Sequence, residues 1–474
     1  MSRTFELTSH FNCNRTFLFD WHDQPGAFER LVPPWKSVKV VESDLSISDN
    51  SQTIFSVGVG PLKIRWVAIH SGYTYPAQFI DVQKSGPFRS WEHKHLFSCC
   101  GDESKLTDAV TYRLPAGILG KLLLSRTIEE DIKQMFEFRH NRTKNDLSRL
   151  AAFSGRKLKV AISGSSGMIG NELKSFLQGG GHKVIRVTRT QSSNPEEAYW
   201  DSPNGKLDTS KLEDLDAFVH LAGENIAGKR WSKKQKQRLY DSRVAGTRSI
   251  AEALSKCEHP PKVFICASAT GIYGSTGRDT TNEDCLEQPD TFLANLCRDW
   301  EQACDPLANH SRIVNARFGI VLSPKGGALK NMLMPFKAGL GGRIGNGQQL
   351  WSWISLDDAV YSIARLIRDD SFNGPVNIVS PQVVSNSEFT KSLGAALSRP
   401  TLLPMPGFVT RIVFGEMADA LLLCSCGVKP SRLEEAGFEF AYPSLDELLL
   451  AYLCLLYTSP SPRDRTRSRM PSSA

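Results

Sequence analysis

The stretch that decides the fold runs from Leu158 to Gly170 and reads LKVAISGSSGMIG. Its first six residues predict a strand, and an apolar-periodic helix pattern begins as the stretch ends. A glycine-rich turn between a strand and a helix is the fingerprint of a dinucleotide-binding unit. Gly164 permits the tight turn, Gly167 lets the main chain approach a pyrophosphate, and Gly170 lets the helix pack closely on the sheet. The spacing is GxxGxxG rather than GxGxxG, and the alternative is a glycine-rich turn without a cofactor.

Strand and helix patterns alternate after this turn. Strands are predicted at Lys183–Thr188, Ala217–Leu221, Val263–Ala267 and Ile313–Leu322, and helices at Lys233–Ser255 and Phe292–Leu307. Such alternation is typical of βαβ units, which build a parallel sheet. Residues 158–385 are therefore predicted to form an α/β domain of the Rossmann type, with a doubly wound parallel sheet.

The flanking segments differ from this domain in composition. Residues 1–145 hold 11 of the 24 Phe and 4 of the 9 Trp, and their strand patterns precede a long helix pattern, which predicts an α+β domain. An aromatic-rich sheet gripping a helix either encloses a cavity for an apolar ligand or fills an ordinary core, and both interpretations stay open. Residues 146–157 are predicted to be a linker and residues 386–453 a small, mainly helical domain. Residues 454–474 are predicted to be a disordered tail.

Composition and charge exclude several classes of protein. The chain has 474 residues and a net charge of +7, of which +3 lies in Ser459–Ala474, so the remainder indicates no nucleic-acid partner. No apolar run is long enough for a membrane span, and the N-terminus lacks a secretory signal pattern. Eleven cysteines without C-x-x-C or zinc-finger spacing predict no metal site and a reducing, cytoplasmic compartment. The tail resembles a translated sequencing-adapter read-through, so the natural chain is expected to end or diverge near Leu453.

The residues at the end of the second strand of the α/β domain indicate which dinucleotide it binds. NAD binding usually requires a carboxylate about 20 residues after the glycine turn, to hold the ribose hydroxyl. The strand here ends Val187-Thr188-Arg189-Thr190, without a carboxylate. The planar, charged side chain of Arg189 suits a 2′-phosphate, which predicts NADP rather than NAD. A surface arginine without a ligand is the alternative.

Several motifs together carry a resemblance to a known family. They are SGSSGMIG at 163–170, HLAGENIAGKRW at 220–231, DSRVAGTR at 241–248, ASATGIYG at 267–274, ARFGIVLSPKGGAL at 316–329 and MPFKAGLGGRIGNGQQLWSWISLDD at 334–358. From about Lys159 to Tyr442 the chain resembles the atypical short-chain dehydrogenase/reductases called the SulA-like or sugar-nucleotide-epimerase-like family. The region from Asn386 resembles the small C-terminal domain of unknown function found in that family. The N-terminal segments FDWHDQPGAFERLVPPW at 19–35 and GPFRSWEHKHLF at 86–97 resemble the helix-grip domain of the START-like superfamily.

The resemblance implies roles for individual residues. Ser268 aligns with the catalytic serine or threonine that orients a substrate hydroxyl or carbonyl. Thr188 and Arg189 would meet the 2′-phosphate of NADP, Arg243 another cofactor phosphate, and Val321 the nicotinamide. The full set implied to bind the cofactor is Gly164, Ser165, Ser166, Gly167, Met168, Ile169, Gly170, Thr188, Arg189, Leu221, Ala222, Gly223, Arg243 and Val321.

One departure from the wider superfamily concerns catalysis. Active members use a Tyr-x-x-x-Lys pair in which the lysine lowers the pKa of the tyrosine for proton exchange. Those positions are Leu293 and Cys297 here. Tyr273 is the nearest phenol in sequence and is predicted to replace the missing acid; a loop tyrosine packed on the cofactor is the alternative.

Three functions are consistent with these residues. The first is an NADP(H)-dependent oxidoreductase or epimerase acting on a small substrate. The second is a non-catalytic NADPH sensor, which the missing Tyr–Lys pair favours. The third is a lipid- or metabolite-binding protein that works through the N-terminal domain. The sequence determines neither the substrate nor the oligomeric state.

Overall fold

The computed structural model describes residues 2–59, 62–114, 118–287 and 289–453. The predicted tail, residues 454–474, lies outside the described residues. None of the helices in the described ranges is long and apolar enough to cross a bilayer.

The N-terminal part is an antiparallel sheet covered by helices. Its elements are β1 (Arg3–Phe11), α1 (Arg15–Asp23), α2 (Ala27–Leu31), β2 (Val38–Ser43), β3 (Gln52–Val59), β4 (Leu62–Thr74), β5 (Gln78–Ser85), β6 (Ser90–Cys100), β7 (Glu103–Arg113) and α3 (Ile118–Ala151). The seven strands lie in the order β1-β7-β6-β5-β4-β3-β2, and every neighbouring pair is antiparallel. Side chains of β6 and β7 alternate between buried and more exposed positions, and α3 packs on the buried face through Ile132 and Phe136.

Helix α3 is longer than the sequence patterns indicate. It continues to Ala151, so the first six residues of the predicted linker 146–157 are helical. The reason is tertiary, because Asp146 forms a buried ion pair with Arg30, and Leu147 and Leu150 belong to the hydrophobic core. The connection to the next strand is therefore only a few residues long.

The central part is a parallel sheet flanked by helices. Its elements are β8 (Lys159–Ser163), α4 (Met168–Gly179), β9 (Lys183–Thr188), β10 (Glu197–Asp201), β11 (Lys206–Leu207), β12 (Ala217–His220), α5 (Lys233–Tyr240), α6 (Gly246–Leu254), β13 (Val263–Ala269), β14 (Thr280–Thr281), α7 (Phe292–Gln302), β15 (Arg312–Phe318), β16 (Ile320–Leu322), α8 (Gly327–Lys337), β17 (Leu350–Trp351), β18 (Trp353–Ser355), α9 (Leu356–Arg368), β19 (Gly374–Ile378) and β20 (Val384–Ser385). The large sheet has the order β11-β10-β9-β8-β12-β13-β15-β19 and is parallel except for the edge pair β10–β11. The Rossmann-type α/β fold predicted from the sequence is confirmed.

One predicted strand is divided in two. The pattern at Ile313–Leu322 breaks at Gly319, where a Cβ atom would lie 2.6 Å from the carbonyl oxygen of Ser352. After this glycine the chain leaves the large sheet, and β16 pairs with β18 instead. The close approach of two backbones therefore ends β15 although the residues beyond it favour a strand.

The C-terminal part completes the core of the central part. Its elements are α10 (Asn386–Ala396), α11 (Gly407–Phe414), β21 (Gly427–Val428), α12 (Ser431–Glu435) and α13 (Leu445–Leu453). Strand β21 pairs with β14, and Leu448 and Leu449 share one hydrophobic cluster with Trp351 and Trp353. Trp351 and Trp353, which follow the glycine-rich stretch 339–347, are thus core residues.

A buried ion cluster joins the three parts. It comprises Arg30 on α2, Arg142 and Asp146 on α3, Glu172 on α4, Lys325 after β16, and Asp357 on α9. Tyr452 on α13 also donates a hydrogen bond to Asp357 at 2.9 Å. Burial alone would raise the pKa of Asp357, but Arg142 and Arg30 lower it to about 2. Three cations and three carboxylates balance, so this interior holds no net charge from these residues.

Candidate cofactor site and active site

The glycine turn lies at the carboxyl edge of the parallel sheet. Ser163, His220 and Cys266 occupy one row across β8, β12 and β13. Strand β8 is flanked by β9 on one side and β12 on the other, so the chain winds away from it in both directions. In this class of fold, ligands bind in the crevice outside the carboxyl ends of the strands at such a switch point.

Two glycines of the turn are required by backbone contacts. Gly164 has φ +71°, and a Cβ atom there would lie 2.8 Å from the carbonyl oxygen of Leu221. A Cβ atom at Gly170 would overlap the carbonyl oxygen of Gly164. The turn, the following helix and the segment after β12 are therefore packed backbone to backbone.

Gly167 differs from the other two glycines. Its φ is −72°, which any residue adopts, and within 4 Å a Cβ atom would meet only the carbonyl oxygen of Gly164, at 3.1 Å. As the N-cap of α4 it supplies no side chain, so the first N–H groups of the helix have no side-chain cap. Uncapped N–H groups at a helix N-terminus form an anion site. The open side of Gly167 leaves room for a phosphate to reach them.

The remaining residues of the turn divide between solvent and core. Ser165 is buried and Ser166 is exposed. Met168 and Ile169 are partly buried against the hydrophobic cluster that Val321 also borders. Val321 itself lies on β16, paired with Ile354 of β18. The structure thus brings Val321 close to the start of α4, although they are far apart in sequence.

Thr188 and Arg189 mark the end of β9. The Thr188 hydroxyl donates to the carbonyl oxygen of Thr190 at 2.8 Å. Arg189 is exposed and makes no hydrogen bond or ion pair with any residue that the structure describes. The next residues of the chain line an open cleft of about 470 Å³, whose lining residues are Gln191, Ser192, Ser193, Tyr199 and Asp208. The guanidinium is therefore free to take an anion.

Leu221, Ala222 and Gly223 follow β12 and reach Arg243. That arginine lies in a π-helical turn, Asp241–Ala245, between α5 and α6. Its guanidinium donates to the carbonyl oxygens of Glu224 and Leu239, at 2.9 and 3.3 Å, and stacks over Trp300. A Cβ atom on Gly223 would lie 3.5 Å from the guanidinium carbon. The predicted cofactor residues of these two segments are therefore adjacent.

The two candidate catalytic residues belong to one buried polar network. Ser268, at the end of β13, donates to Oε1 of Glu301 at 2.7 Å. Arg317 donates to both oxygens of Glu301 at 2.8 Å and to the hydroxyl of Tyr273 at 2.9 Å. Tyr273 in turn donates to Asn377 at 2.8 Å. The structure therefore connects Ser268 to Tyr273 through Glu301 and Arg317.

Tyr273 is held on both sides. Its hydroxyl accepts from one residue and donates to another, and burial raises its pKa to about 12. On α7 the positions of the absent Tyr–Lys pair provide no replacement, because Leu293 is apolar and burial raises the pKa of Cys297 to about 12. The next residue on that face of the helix is Glu301.

Glu301, Arg317 and Asn377 are functional candidates that the sequence patterns did not single out. The sequence contained a signal for Glu301, because it stands four residues after Cys297 and eight after Leu293, on the same face of the helix. Arg317 is the register partner of Ser268 on the neighbouring strand, which no local pattern shows.

His220, at the end of β12, is a core residue and not part of this network. Its Nδ1 lies 2.6 Å from the Ser163 hydroxyl, and burial lowers its pKa to about 3.

Comparisons with known proteins identify the family. Residues 160–379 match the model of the NAD dependent epimerase/dehydratase family. An epimerase family protein of Mycobacterium leprae is 42% identical over 299 residues, which are 63% of this chain and 96% of that protein. The chain belongs to the epimerase family. Residues 405–451 of this family member match a domain of unknown function, DUF1731.

Two solved structures extend the comparison. The nucleoside-diphosphate sugar epimerase from Corynebacterium glutamicum aligns with 98% of this chain and 92% of its own, at 30% identity and a TM-score of 0.79. The human epimerase family protein SDR39U1, solved with NADPH, aligns with 62% of this chain and 98% of its own, at 33% identity and a TM-score of 0.58. The first covers both the N-terminal sheet and the Rossmann part. The START-like character of the N-terminal part stays a prediction.

Proposed function

We propose that this epimerase-family protein binds NADP(H) at the start of α4 and acts as an oxidoreductase or epimerase on a small polar substrate. The observation that carries the proposal is the N-terminus of α4, which lacks a side-chain cap and lies at the switch point of the sheet. The human relative solved with NADPH supports the choice of cofactor.

The described residues fit this cofactor. Gly167 leaves space for a pyrophosphate against the N–H groups of α4, and Ser165, Ser166, Met168 and Ile169 complete the turn. Arg189, exposed and without a partner among the described residues, would pair with the 2′-phosphate beside Thr188. Arg243 and the segment Leu221–Gly223 would line the neighbouring wall of the cofactor site. Val321 would lie on the other side of the glycine turn.

The polar network is suited to hold a substrate oxygen. Bound NADP(H) supplies a hydride donor or acceptor. Since the single proton of the Ser268 hydroxyl is donated to Glu301, the oxygen of Ser268 keeps its lone pairs for a substrate hydroxyl. A carbonyl substrate would require this hydroxyl to rotate, leaving Glu301 held by Arg317. The resting arrangement therefore favours an alcohol as the substrate group.

The proton in this proposal is exchanged with Glu301 through Ser268. The Tyr273 hydroxyl donates a hydrogen bond to Asn377 and accepts one from Arg317, which supports a positioning role for the phenol over the predicted role as acid. The guanidinium of Arg317 would hold both oxygens of Glu301 in place through its two-point contact. Ser268 and Glu301 are thus the groups that we assign to the substrate oxygen.

A second candidate function is an NADPH sensor without turnover. The absence of a Tyr–Lys pair at Leu293 and Cys297 favours it. The test that separates the two combines calorimetry with NADPH and NADH, and NADPH oxidation or NADP reduction against carbonyl, alcohol and sugar-nucleotide panels. Tight NADPH binding with turnover supports the enzyme, and tight binding without turnover on any panel supports the sensor. Failure to bind either nucleotide contradicts both.

A further inference from the structure

The buried face of the N-terminal sheet carries a row of histidine and aspartate side chains where an apolar core is expected. We define the His–Asp cluster by its members, which come from β4 to β7 and from α3: His70, Asp81, His93, His95, Asp108 and His140. Asp81 is the register partner of both His70 and His93, and His95 is the partner of Asp108. Four neighbouring strands therefore place these side chains on one face.

Three atoms of this cluster converge. Oδ2 of Asp81 lies 3.6 Å from Nδ1 of His93 and 3.2 Å from Nε2 of His95, and the second contact has the geometry of a hydrogen bond. The three residues offer one ligand atom each within 4.8 Å of one another. Atoms bound to the same first-row divalent ion at about 2.0–2.2 Å would lie roughly 3.0–3.5 Å apart. The two separations from Asp81 are close to those between ligands of one metal ion.

The ring nitrogens of His93 and His95 that face away from Asp81 are also directed at a carboxylate. The second nitrogens of both histidines face Oδ1 of Asp108, Nε2 of His93 at 3.2 Å and Nδ1 of His95 at 2.8 Å. The other oxygen of Asp108 lies 2.9 Å from His140, and the other oxygen of Asp81 lies 2.9 Å from His70. Ligating histidines typically direct the second nitrogen at a carboxylate, which sets the tautomer and the ring orientation.

Several of these contacts lack hydrogen-bond geometry. Oδ1 of Asp81, Oδ1 of Asp108, Nε2 of His93 and Nδ1 of His95 are buried without an aligned hydrogen bond. The side chains of His93 and Asp108 are only 3% and 4% exposed. Two carboxylates in such a place need compensating positive charge. A divalent cation supplies it at the point where the inner atoms meet.

We propose that the N-terminal domain binds a divalent transition-metal ion through Asp81, His93 and His95. Two histidines and one carboxylate are a ligand set of zinc and of non-haem iron sites, in which the remaining positions are open to water or substrate. The Asp81 side chain is 26% exposed, whereas His93 and His95 are buried. Entry of the ion and an exchangeable oxygen ligand are therefore expected on the Asp81 side.

This site is separate from the proposed cofactor site. It lies within the N-terminal sheet, whereas the glycine turn lies at the edge of the parallel sheet. The sequence predicted no metal site and left open whether this domain encloses an apolar ligand or an ordinary core. The row of histidine and aspartate side chains argues for a metal and an oxygen-containing ligand instead.

The test uses the full chain, dialysed against a chelator and then titrated with Zn²⁺ by calorimetry. One ion per chain is expected, and Co²⁺ should give visible absorption bands of a site with nitrogen and oxygen ligands. His93→Gln and His95→Gln should each weaken Zn²⁺ binding by more than the roughly 10–100-fold expected for the outer-sphere variant Asp108→Asn. The matched control is His10→Gln, whose side chain is 54% exposed on β1 and which should bind Zn²⁺ normally.

Two results would overturn the proposal. One is the absence of stoichiometric Zn²⁺ and Co²⁺ binding, which would mean that protons on the histidines balance the aspartates. The other is Zn²⁺ binding that the His93 and His95 variants leave unchanged. If those variants unfold, Asp81→Asn replaces them, because its partly exposed side chain is the least demanding to change. NADPH affinity, measured separately, tests the proposed function without reference to the metal.

Discussion

Nη1 of Arg30 lies 2.8 Å from Oε2 of Glu172, which ties the N-terminal domain to the helix that starts at the glycine turn. Arg30 is fully buried and also bonds to Asp146 and Tyr361. Glu172 follows Gly170 by two residues. A buried ion pair therefore joins the N-terminal domain to α4, the helix proposed to bind the phosphates.

Removing this link should destabilise the protein. Arg30→Met leaves buried carboxylates without their cation, so we expect a loss of about 3–5 kcal/mol in the free energy of unfolding. Denaturant unfolding monitored by circular dichroism measures it. Arg3→Met, which breaks the exposed pair with Glu129, is the control and should cost at most about 1 kcal/mol. Equal costs for the two variants would show that the buried cluster adds nothing.

Gly167→Val separates binding from folding. The φ of Gly167 suits any residue, and a Cβ atom there would require only a small shift from the carbonyl oxygen of Gly164, 3.1 Å away; the open side of the residue is the space proposed for the pyrophosphate. We expect a melting temperature within a few degrees of the wild type and no measurable NADPH binding by calorimetry. NADPH binding of normal affinity in this variant would place the cofactor elsewhere.

Arg189→Ala should remove the preference for NADPH over NADH. A charge-assisted contact is worth roughly 1.5–3 kcal/mol, which predicts at least a tenfold loss of NADPH affinity with little change for NADH. Arg368→Ala is the matched control, since this exposed arginine ends α9, away from the carboxyl edge. Comparable affinities of the wild-type protein for both nucleotides would refute the assignment of NADP.

Ser268→Ala and Glu301→Gln test the polar network. If turnover is found, each should lower kcat by about 10²-fold or more, since proton transfer by a positioned group contributes on that scale. Tyr273→Phe should reduce kcat less, because the phenol acts through Arg317. The readout is steady-state kinetics together with NADPH affinity, which the three variants should retain. A larger effect for Tyr273→Phe than for Ser268→Ala would restore Tyr273 as the acid.

His182 should make stability depend on pH. Burial lowers its pKa to about 4, and Nδ1 accepts a hydrogen bond from the N–H of Leu158, so the folded protein holds the ring neutral. The stabilisation is complete above the unfolded pKa of about 6.5 and is lost as pH falls through 4. Between pH 7 and 4.5 the wild type should lose roughly 2–3 kcal/mol more than His182→Gln. Identical pH profiles of unfolding would contradict this role of His182, and the exposed His10→Gln is the control.

Local patterns were sufficient for much of the fold. The alternation of strands and helices after Leu158 predicted the Rossmann part, because side-chain periods of two and 3.6 are properties of neighbouring residues. The glycine turn was predicted for the same reason. Patterns failed at Asp146–Ala151 and at Gly319, where contacts with distant segments determine whether a helix continues or a strand ends.

The His–Asp cluster and the Ser268 network show the same division between what local patterns predict and what distant contacts decide. The alternation in Trp91–Phe97 puts His93 and His95 on the same face of a strand as these two aromatic residues, yet nothing local indicates that Asp81 and Asp108 flank them. Glu301 was recognisable by helical spacing from Cys297, whereas its pairing with Arg317 depends on which strands are neighbours.

The sequence by itself determined the strand–turn–helix unit at the glycine turn, the parallel sheet that follows it and the absence of a carboxylate after β9, since each is a property of residues close together in the chain. Only the tertiary structure decided that Arg30 meets Glu172, that Ser268 meets Glu301 and that the His–Asp cluster forms. These contacts join residues that many others separate in sequence, and their geometry is set by sheet order, register and packing, which no local pattern encodes.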